Sequence, residues 1–177
     1  ATKLSMEKLF ISANRFKGKR KTKFSCVRYG NVLGSRGSVI PKFIEQIKSN
    51  QMITVTDPNM TRFNITMNEA LELILHAINF SKGYEVFIPK LNSYKLSDLV
   101  ESLNEISSIP FSQKNIPIRS GEKTHELLLN TYETNYSIES NGVYVLLPPN
   151  DATIELDETY LNSKILDMKI YSSENSP

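Results

Sequence analysis

Helix-like and strand-like stretches alternate at short intervals along this chain, and no other feature limits its possible folds as tightly. Apolar residues recur at helical spacing over residues 2–16, 39–48, 68–80 and 96–106. In the first of these Leu4, Leu9 and Ala13 make the apolar face, with Glu7 and Lys8 between them. In the third, Ala70, Leu71, Ile74, Leu75 and Ile78 do so. Short β-rich runs at residues 24–29, 52–56, 63–66, 84–88, 116–119 and 142–147 separate or follow the helices. Residues 123–129 read as a short helix, and the segment beyond Asp151 as a polar, weakly patterned tail. Alternation of this kind predicts an α/β layered fold. A length of 177 residues suits one ordinary domain, or two only if both are small.

Composition removes several function classes. Hydrophobic residues at 40% and charged residues at 23% describe a globular chain rather than a disordered one. The net charge of +2 gives no general attraction to nucleic acid or to an acidic membrane surface. Cys26 is the single cysteine, so no intrachain disulfide can form. His76 and His125 lie far apart, which argues against a Cys/His zinc site. No apolar run approaches the ~20 residues that span a bilayer, and the start lacks a signal-peptide layout. A cytoplasmic, reducing location is the expectation.

Four loops can carry chemistry. Arg15, Lys17, Lys19, Arg20, Lys21 and Lys23 place six cations in nine residues. Only Phe16 and Phe24 flank them, so a solvated loop explains the run better than a nucleic-acid surface with stacking aromatics. The stretch from Gly30 to Ser38 follows a strand and precedes a helix, where open α/β sheets place ligand loops. Its glycines permit close backbone approach, and the helix start favours an anion. It matches neither of the familiar phosphate-loop patterns, and a plain connection fits it equally well. Arg62, just after the Asp57-Pro58-Asn59 turn, can clamp an anion with its planar fork or sit in a surface ion pair. Arg119 and Glu122, around the Ser120-Gly121 turn, can grip a phosphate and a sugar diol, or Glu122 can simply favour a helix start. His125 has no nucleophile partner at useful spacing and reads as structural. The residues alone describe an α/β domain able to hold a phosphorylated ligand, without a complete catalytic constellation.

Taken in order, these segments resemble one family. The segments are Ala1-Thr2-Lys3, Arg28-Tyr29-Gly30-Asn31-Val32, Ser35-Arg36-Gly37-Ser38-Val39-Ile40-Pro41, Thr56-Asp57-Pro58, Met60-Thr61-Arg62-Phe63, and Arg119 through Glu126. The set is similar to the polysaccharide-biosynthesis branch of the extended short-chain dehydrogenase/reductases, the UDP-N-acetylglucosamine 4,6-dehydratase type, from Ala1 to about Pro148. In that family a Tyr stands four positions before the motif lysine. The resemblance therefore implies that this chain is the C-terminal half of a larger NAD(P)-binding, Rossmann-like enzyme and is inactive alone. It implies the end of the cofactor domain at residues 1–33, a substrate-binding region at 34–150 and a tail at 151–177.

The resemblance also implies roles. Lys3 binds the nicotinamide ribose and favours the phenolate of the motif Tyr. Tyr29 and Gly30 are backbone contacts of NAD or NADP. Asn31 meets the diphosphate or the sugar, and Ser38 and Val39 the diphosphate. Thr54, Val55 and Thr56 flank the uracil, Arg62 and Arg119 hold the diphosphate, and Glu122 holds the uridine ribose. The implied reaction takes a hydride from sugar C4, loses water across C5 and C6, and returns the hydride at C6. A 4-epimerase of the same superfamily and a non-catalytic UDP-sugar-binding half-domain are the alternatives. The implied partners are a UDP-sugar and a second copy of the protein, with no metal, no nucleic acid and no membrane segment in this chain. The full-length protein is open to anchoring through a further N-terminal region. Ser120 stands where the family usually has Pro, and Asn64 where relatives often carry a large apolar residue, which bears on the sugar pocket.

Overall fold

The computed structural model describes residues 2–149, 160 and 163–176. Its helices are α1 (Thr2–Ser12), α2 (Val39–Lys48), α3 (Met67–Phe80), α4 (Leu96–Ile106) and α5 (Thr131–Thr134). Its strands are β1 (Cys26–Val27), β2 (Asn31–Val32), β3 (Ile53–Val55), β4 (Thr61–Ile65), β5 (Val86–Pro89) and β6 (Ser93–Lys95). The remaining strands are β7 (Gln113–Asn115), β8 (Leu127–Leu129), β9 (Ser137–Ser140), β10 (Val143–Leu146) and β11 (Tyr171–Ser172). The α/β alternation expected from the sequence is present. The chain divides into two compact units, each drawn from three separate stretches. The first comprises Ala1–Tyr29, Asn68–Lys90 and Leu128–Tyr171; the second comprises Gly30–Met67, Leu91–Leu127 and Ser172–Pro177.

The first unit is built on a four-stranded sheet in the order β1-β5-β10-β9. β1 runs parallel to β5, and β10 runs antiparallel to both β5 and β9. β9 and β10 form a hairpin whose tip is Asn141-Gly142, with φ of 50° and 81°. An Asn-Gly pair suits this left-handed two-residue turn because its twist matches that of the strands. Leu73 and Ala77 of α3 pack with Phe87, Ile138, Val145, Leu147 and Tyr160 to form the core.

Helices α1 and α3 of this unit bury faces that differ from those their apolar spacing predicts, and on α3 only Ala70 of the expected stripe is fully buried. On α3 the buried positions are Ala70, Leu73 and Ala77, while Leu71, Leu75 and Ile78 are exposed. The helix is apolar on two sides, and the side with the small alanines is the one buried. On α1 the single buried residue is Glu7, with Leu4, Leu9 and Phe10 exposed. The physical reason is Arg28. Its Nε and Nη2 donate to Glu7 at 2.9 and 2.6 Å, and Nη1 and Nη2 donate to Glu133 at 3.0 Å. Nη1 also donates to the Leu128 carbonyl. All five guanidinium N–H groups are thereby used. Burial opposes the charge on Arg28, but its hydrogen bonds to Glu7 and Glu133 outweigh this and raise the guanidinium pKa above its ordinary value. For Glu133, burial works in the same direction against ionisation, and the bond to Arg28 prevails, lowering the carboxyl pKa.

The second unit contains a three-stranded sheet, β2-β4-β6, and a parallel pair, β3-β7. Phe43 and Ile47 of α2 and Leu96, Val100 and Leu103 of α4 pack against Ile53, Val55 and Met60. Along β4 the side chains alternate: Thr61, Phe63 and Ile65 are buried, Arg62 and Asn64 half-buried. Gly30 lies against Phe63, and a Cβ placed there would stand 2.5 Å from the Phe63 Cβ. The glycine requirement at position 30 is thus set by packing.

Two expected elements differ from those observed. The strand expected at residues 116–119 lies instead at β7, which pairs parallel with β3. Its three residues are polar and exposed, so this edge strand has no apolar signature. The helix expected at 123–129 is absent, and Leu127–Leu129 form a strand. Helix propensity is a weak preference that tertiary pairing overrides. Within the tail, Ser173 is buried and its amide donates to the Glu126 carbonyl at 2.9 Å.

Candidate nucleotide-binding site

A cavity of about 310 Å³ opens in the second unit. The strand alternation and the start of α2 decide what lines it. From α2 come Ser38 and Val39, from β3 Thr54 with Thr56 just beyond, and from β2 Asn31. Arg62 of β4 and the turn residues Arg119 and Glu122 also reach it. Val55 does not: it is buried in the core, as the period-two alternation along β3 requires. Lys3 and Tyr29 belong to the first unit, Lys3 exposed on α1 and Tyr29 half-buried beside that unit's core. Gly30 belongs to the second unit, at the start of β2.

The cavity holds an uncommon supply of free donors. Arg62 donates to the Thr61 and Thr124 carbonyls at 2.8 and 3.0 Å and contacts the Met60 sulfur at 3.3 Å. These contacts fix the guanidinium without neutralising it. Arg119 bonds Glu122 through its backbone amide, at 3.1 Å, and not through its guanidinium. Among the described residues neither arginine forms an ion pair. Ser38 occupies the N-cap of α2 without capping it, and its hydroxyl oxygen is buried without a hydrogen-bond partner. A buried unpaired hydroxyl at a helix start is costly unless something binds there.

Glu122 completes the far end. Its carboxylate accepts from the Thr56 hydroxyl at 3.3 Å and from the Arg119 amide. The turn that sets this spacing needs Gly121, at φ 81°. A buried network braces the backbone around Arg62. The Thr61 hydroxyl lies 2.8 Å from His125 Nδ1 and 2.7 Å from the Ser173 hydroxyl, and the Phe63 amide donates to Glu126 at 2.9 Å. His125 is accordingly a brace.

Sequence reasoning overlooked Tyr94, which lines the cavity from β6, as Asn64 does from β4. Burial, reinforced by the negative charge of Glu126, raises its pKa, so the phenol stays a neutral donor. The alternation Ser93-Tyr94-Lys95 between a turn and a helix was the available signal. Elsewhere, burial followed by the charge of Glu7 raises the Cys26 thiol pKa, which disfavours the reactive thiolate. No group of three metal-ligating side chains occurs among the described residues, and none of their helices is long and apolar enough to cross a membrane.

Known proteins resemble this chain over most of its length. The model of a family described as "Polysaccharide biosynthesis protein" matches residues 1–148. An uncharacterized membrane protein of Methanocaldococcus jannaschii is 44% identical over 155 residues, covering 84% of this chain and 46% of the relative. A UDP-N-acetylglucosamine 4,6-dehydratase (inverting) of Campylobacter jejuni is 36% identical over 184 residues, covering all of this chain and 54% of the relative. A UDP-glucose 4-epimerase of Rickettsia bellii is 34% identical, covering 99% of this chain and 52% of the relative. The X-ray structure of Pen from Bacillus thuringiensis superposes with a TM-score of 0.86 at 38% identity, covering 99% of this chain and 52% of that one. The chain spans about half the length of the relatives it matches. It belongs to the polysaccharide biosynthesis protein family, and its fold is that of a Rossmann-like short-chain dehydrogenase/reductase fragment.

Proposed function

We propose, from that family membership, that this chain supplies the nucleotide-gripping part of a UDP-sugar-modifying enzyme, a 4,6-dehydratase acting on UDP-N-acetylglucosamine. One observation carries the reading. Two arginines without ion-pair partners among the described residues, an unbonded serine hydroxyl at a helix start and a carboxylate converge on one cavity.

Each feature matches one part of a nucleoside diphosphate. Arg62 and Arg119 hold the diphosphate through charge-assisted hydrogen bonds. The start of α2, with the Ser38 hydroxyl and the Val39 amide, adds donors on the same anion. Glu122 accepts from the ribose diol, in place of the Thr56 hydroxyl that occupies it here. Thr54 and Thr56 flank the uracil, and Asn31 meets the sugar or the diphosphate. Binding energy from this handle orients the hexose for reaction.

Residues 1–33 contribute the end of the cofactor part. Lys3 presents an exposed ammonium, a fitting donor for ribose hydroxyls, and Tyr29 and Gly30 offer backbone groups. NAD or NADP, when bound, supplies reversible hydride acceptance. The reaction belongs in the cytoplasm, where the protein acts as a homo-oligomer.

The test is product analysis with the full-length protein, UDP-N-acetylglucosamine and NAD or NADP. The expected product is the 4-keto-6-deoxy sugar, identified by NMR. Appearance of the C4 epimer would replace the dehydratase with an epimerase. UDP binding without any conversion would leave a binding module. No UDP binding at all would overturn the nucleotide-sugar reading.

A further inference from the structure

The cavity has a polar wall of four residues, two of which, Asn64 and Tyr94, have as yet no role. In the β2-β4-β6 sheet Asn31 is the register partner of Asn64, and Arg62 is the partner of Tyr94. All four line the cavity. Strand alternation puts Arg62 and Asn64 on the same face of β4, while Phe63 between them is buried. The groups matched to uridine, Thr54, Thr56, Arg119 and Glu122, come from β3 and the 119–122 turn instead. Arg62 lies within the polar wall, so the diphosphate site and this wall are continuous.

We propose that Asn64 and Tyr94 are specificity residues that read hydrogen-bonding substituents on the hexose of a UDP-sugar; this rests on the nucleotide-sugar reading above. A carboxamide has four hydrogen-bonding positions and a phenol can both donate and accept, so Asn64 and Tyr94, lining one cavity, together offer several to a ligand. Asn31, adjacent in register, offers a second carboxamide. A wall of two amides and a phenol is poorly suited to an apolar or deoxygenated ring edge, which would leave its polar groups unpaired. It is well suited to hydroxyl or acetamido groups. A site that hydrogen-bonds a substrate discriminates more sharply than an apolar pocket does.

Isothermal titration of the full-length protein and its Asn64→Ala and Tyr94→Phe variants with UDP, UDP-N-acetylglucosamine and UDP-glucose tests this. Both variants are expected to bind UDP within about twofold of the unsubstituted protein and a UDP-sugar about tenfold more weakly, the loss of roughly one hydrogen bond. Loss confined to UDP-N-acetylglucosamine assigns the acetamido group; loss with both sugars assigns ring hydroxyls. Tyr94→Phe keeps the ring volume, so it reports on the hydroxyl even where Asn64→Ala disturbs folding. Unchanged UDP-sugar affinity in both variants, or equal losses for UDP and UDP-sugar, would overturn the assignment while leaving the nucleotide site standing. Absence of UDP binding by the unsubstituted protein would overturn both.

Discussion

Arg28 in the first unit and the pair Arg62 and Arg119 in the second are chemically identical side chains used in opposite ways. Arg28 meets two carboxylates and a carbonyl, and all five of its donors are engaged. Arg62 meets carbonyls and a sulfur, and Arg119 lends only its backbone to the neighbouring carboxylate. The first arrangement is complete within the fold. The second holds the cations in place and leaves their charge for something else. An arginine's partners, more than its exposure, distinguish a structural cation from a ligand-binding one.

That contrast can be broken from either side. The largest effect belongs to Arg28. Replacing it with Ala leaves Glu7 and Glu133 buried with only the exposed Lys8 ammonium, at 3.7 and 3.9 Å, as counter-charge and is expected to destabilise the fold by about 3 kcal/mol. Chemical denaturation measures this, and a loss below about 1 kcal/mol would mean that the cluster is not structural. The next effect is on binding. Arg62→Ala and Arg119→Ala should each weaken UDP by about 10- to 100-fold, the value of a charge-assisted bond at ~1.5–3 kcal/mol. Titration calorimetry reads this, and unchanged affinity in both would remove the assigned role. Arg119→Ala should cost about 0.5 kcal/mol or less in stability, as its guanidinium forms no ion pair among the described residues.

A smaller effect appears with pH. Glu133 has a lowered pKa in the folded state, so the unfolded chain binds its proton more readily. Its contribution is therefore complete above the ordinary carboxyl value of 4.5 and is lost as pH falls below that through the lowered folded value. Glu133→Gln should flatten the acid limb of a stability-against-pH curve; an unchanged limb would contradict this. The smallest effect is that of salt. Raising ionic strength should weaken UDP binding, because the cavity is open to solvent, and leave the shielded Arg28 cluster nearly unaffected. Equal salt sensitivity of binding and folding would erase the distinction.

Much of this was readable from sequence, and the unreadable parts share a cause. The helices at 39–48 and 96–106 have the bounds that their apolar spacing predicts. Their cores are local and one-sided, so periodicity suffices. The faces of α1 and α3 were misread because both helices carry more apolar surface than they bury within this chain. Only the partners of Glu7 could reveal that a carboxylate, and not Leu9, turns inward on α1. The deciding partner, Arg28, lies 21 residues away and is shared with Glu133, which stands 105 residues further on. Strand β7 escaped notice because an exposed edge needs no apolar residue. The Asn141-Gly142 turn was a local signal for the β9–β10 hairpin that the reading of a lone strand at 142–147 passed over. For the cavity, motif order was enough to bring most of the second-unit residues together, since they lie on short loops beside well-patterned strands. Tyr94 was missed because its companions, Asn64 and Arg62, are set by register across strands and not by spacing along one.

The three-stretch construction of each unit limits how such a molecule can be remodelled. A single crossover at any interior position within residues 30–171 would leave at least one unit assembled from two parents. Exchanging only the second unit for that of a relative takes several joins placed together, at 29/30, 67/68, 90/91, 127/128 and 171/172. Variation by recombination is thereby handicapped, and point changes along existing strands are the more accessible route to an altered cavity. The same interleaving means that distant stretches must meet before either unit closes, which favours slow folding.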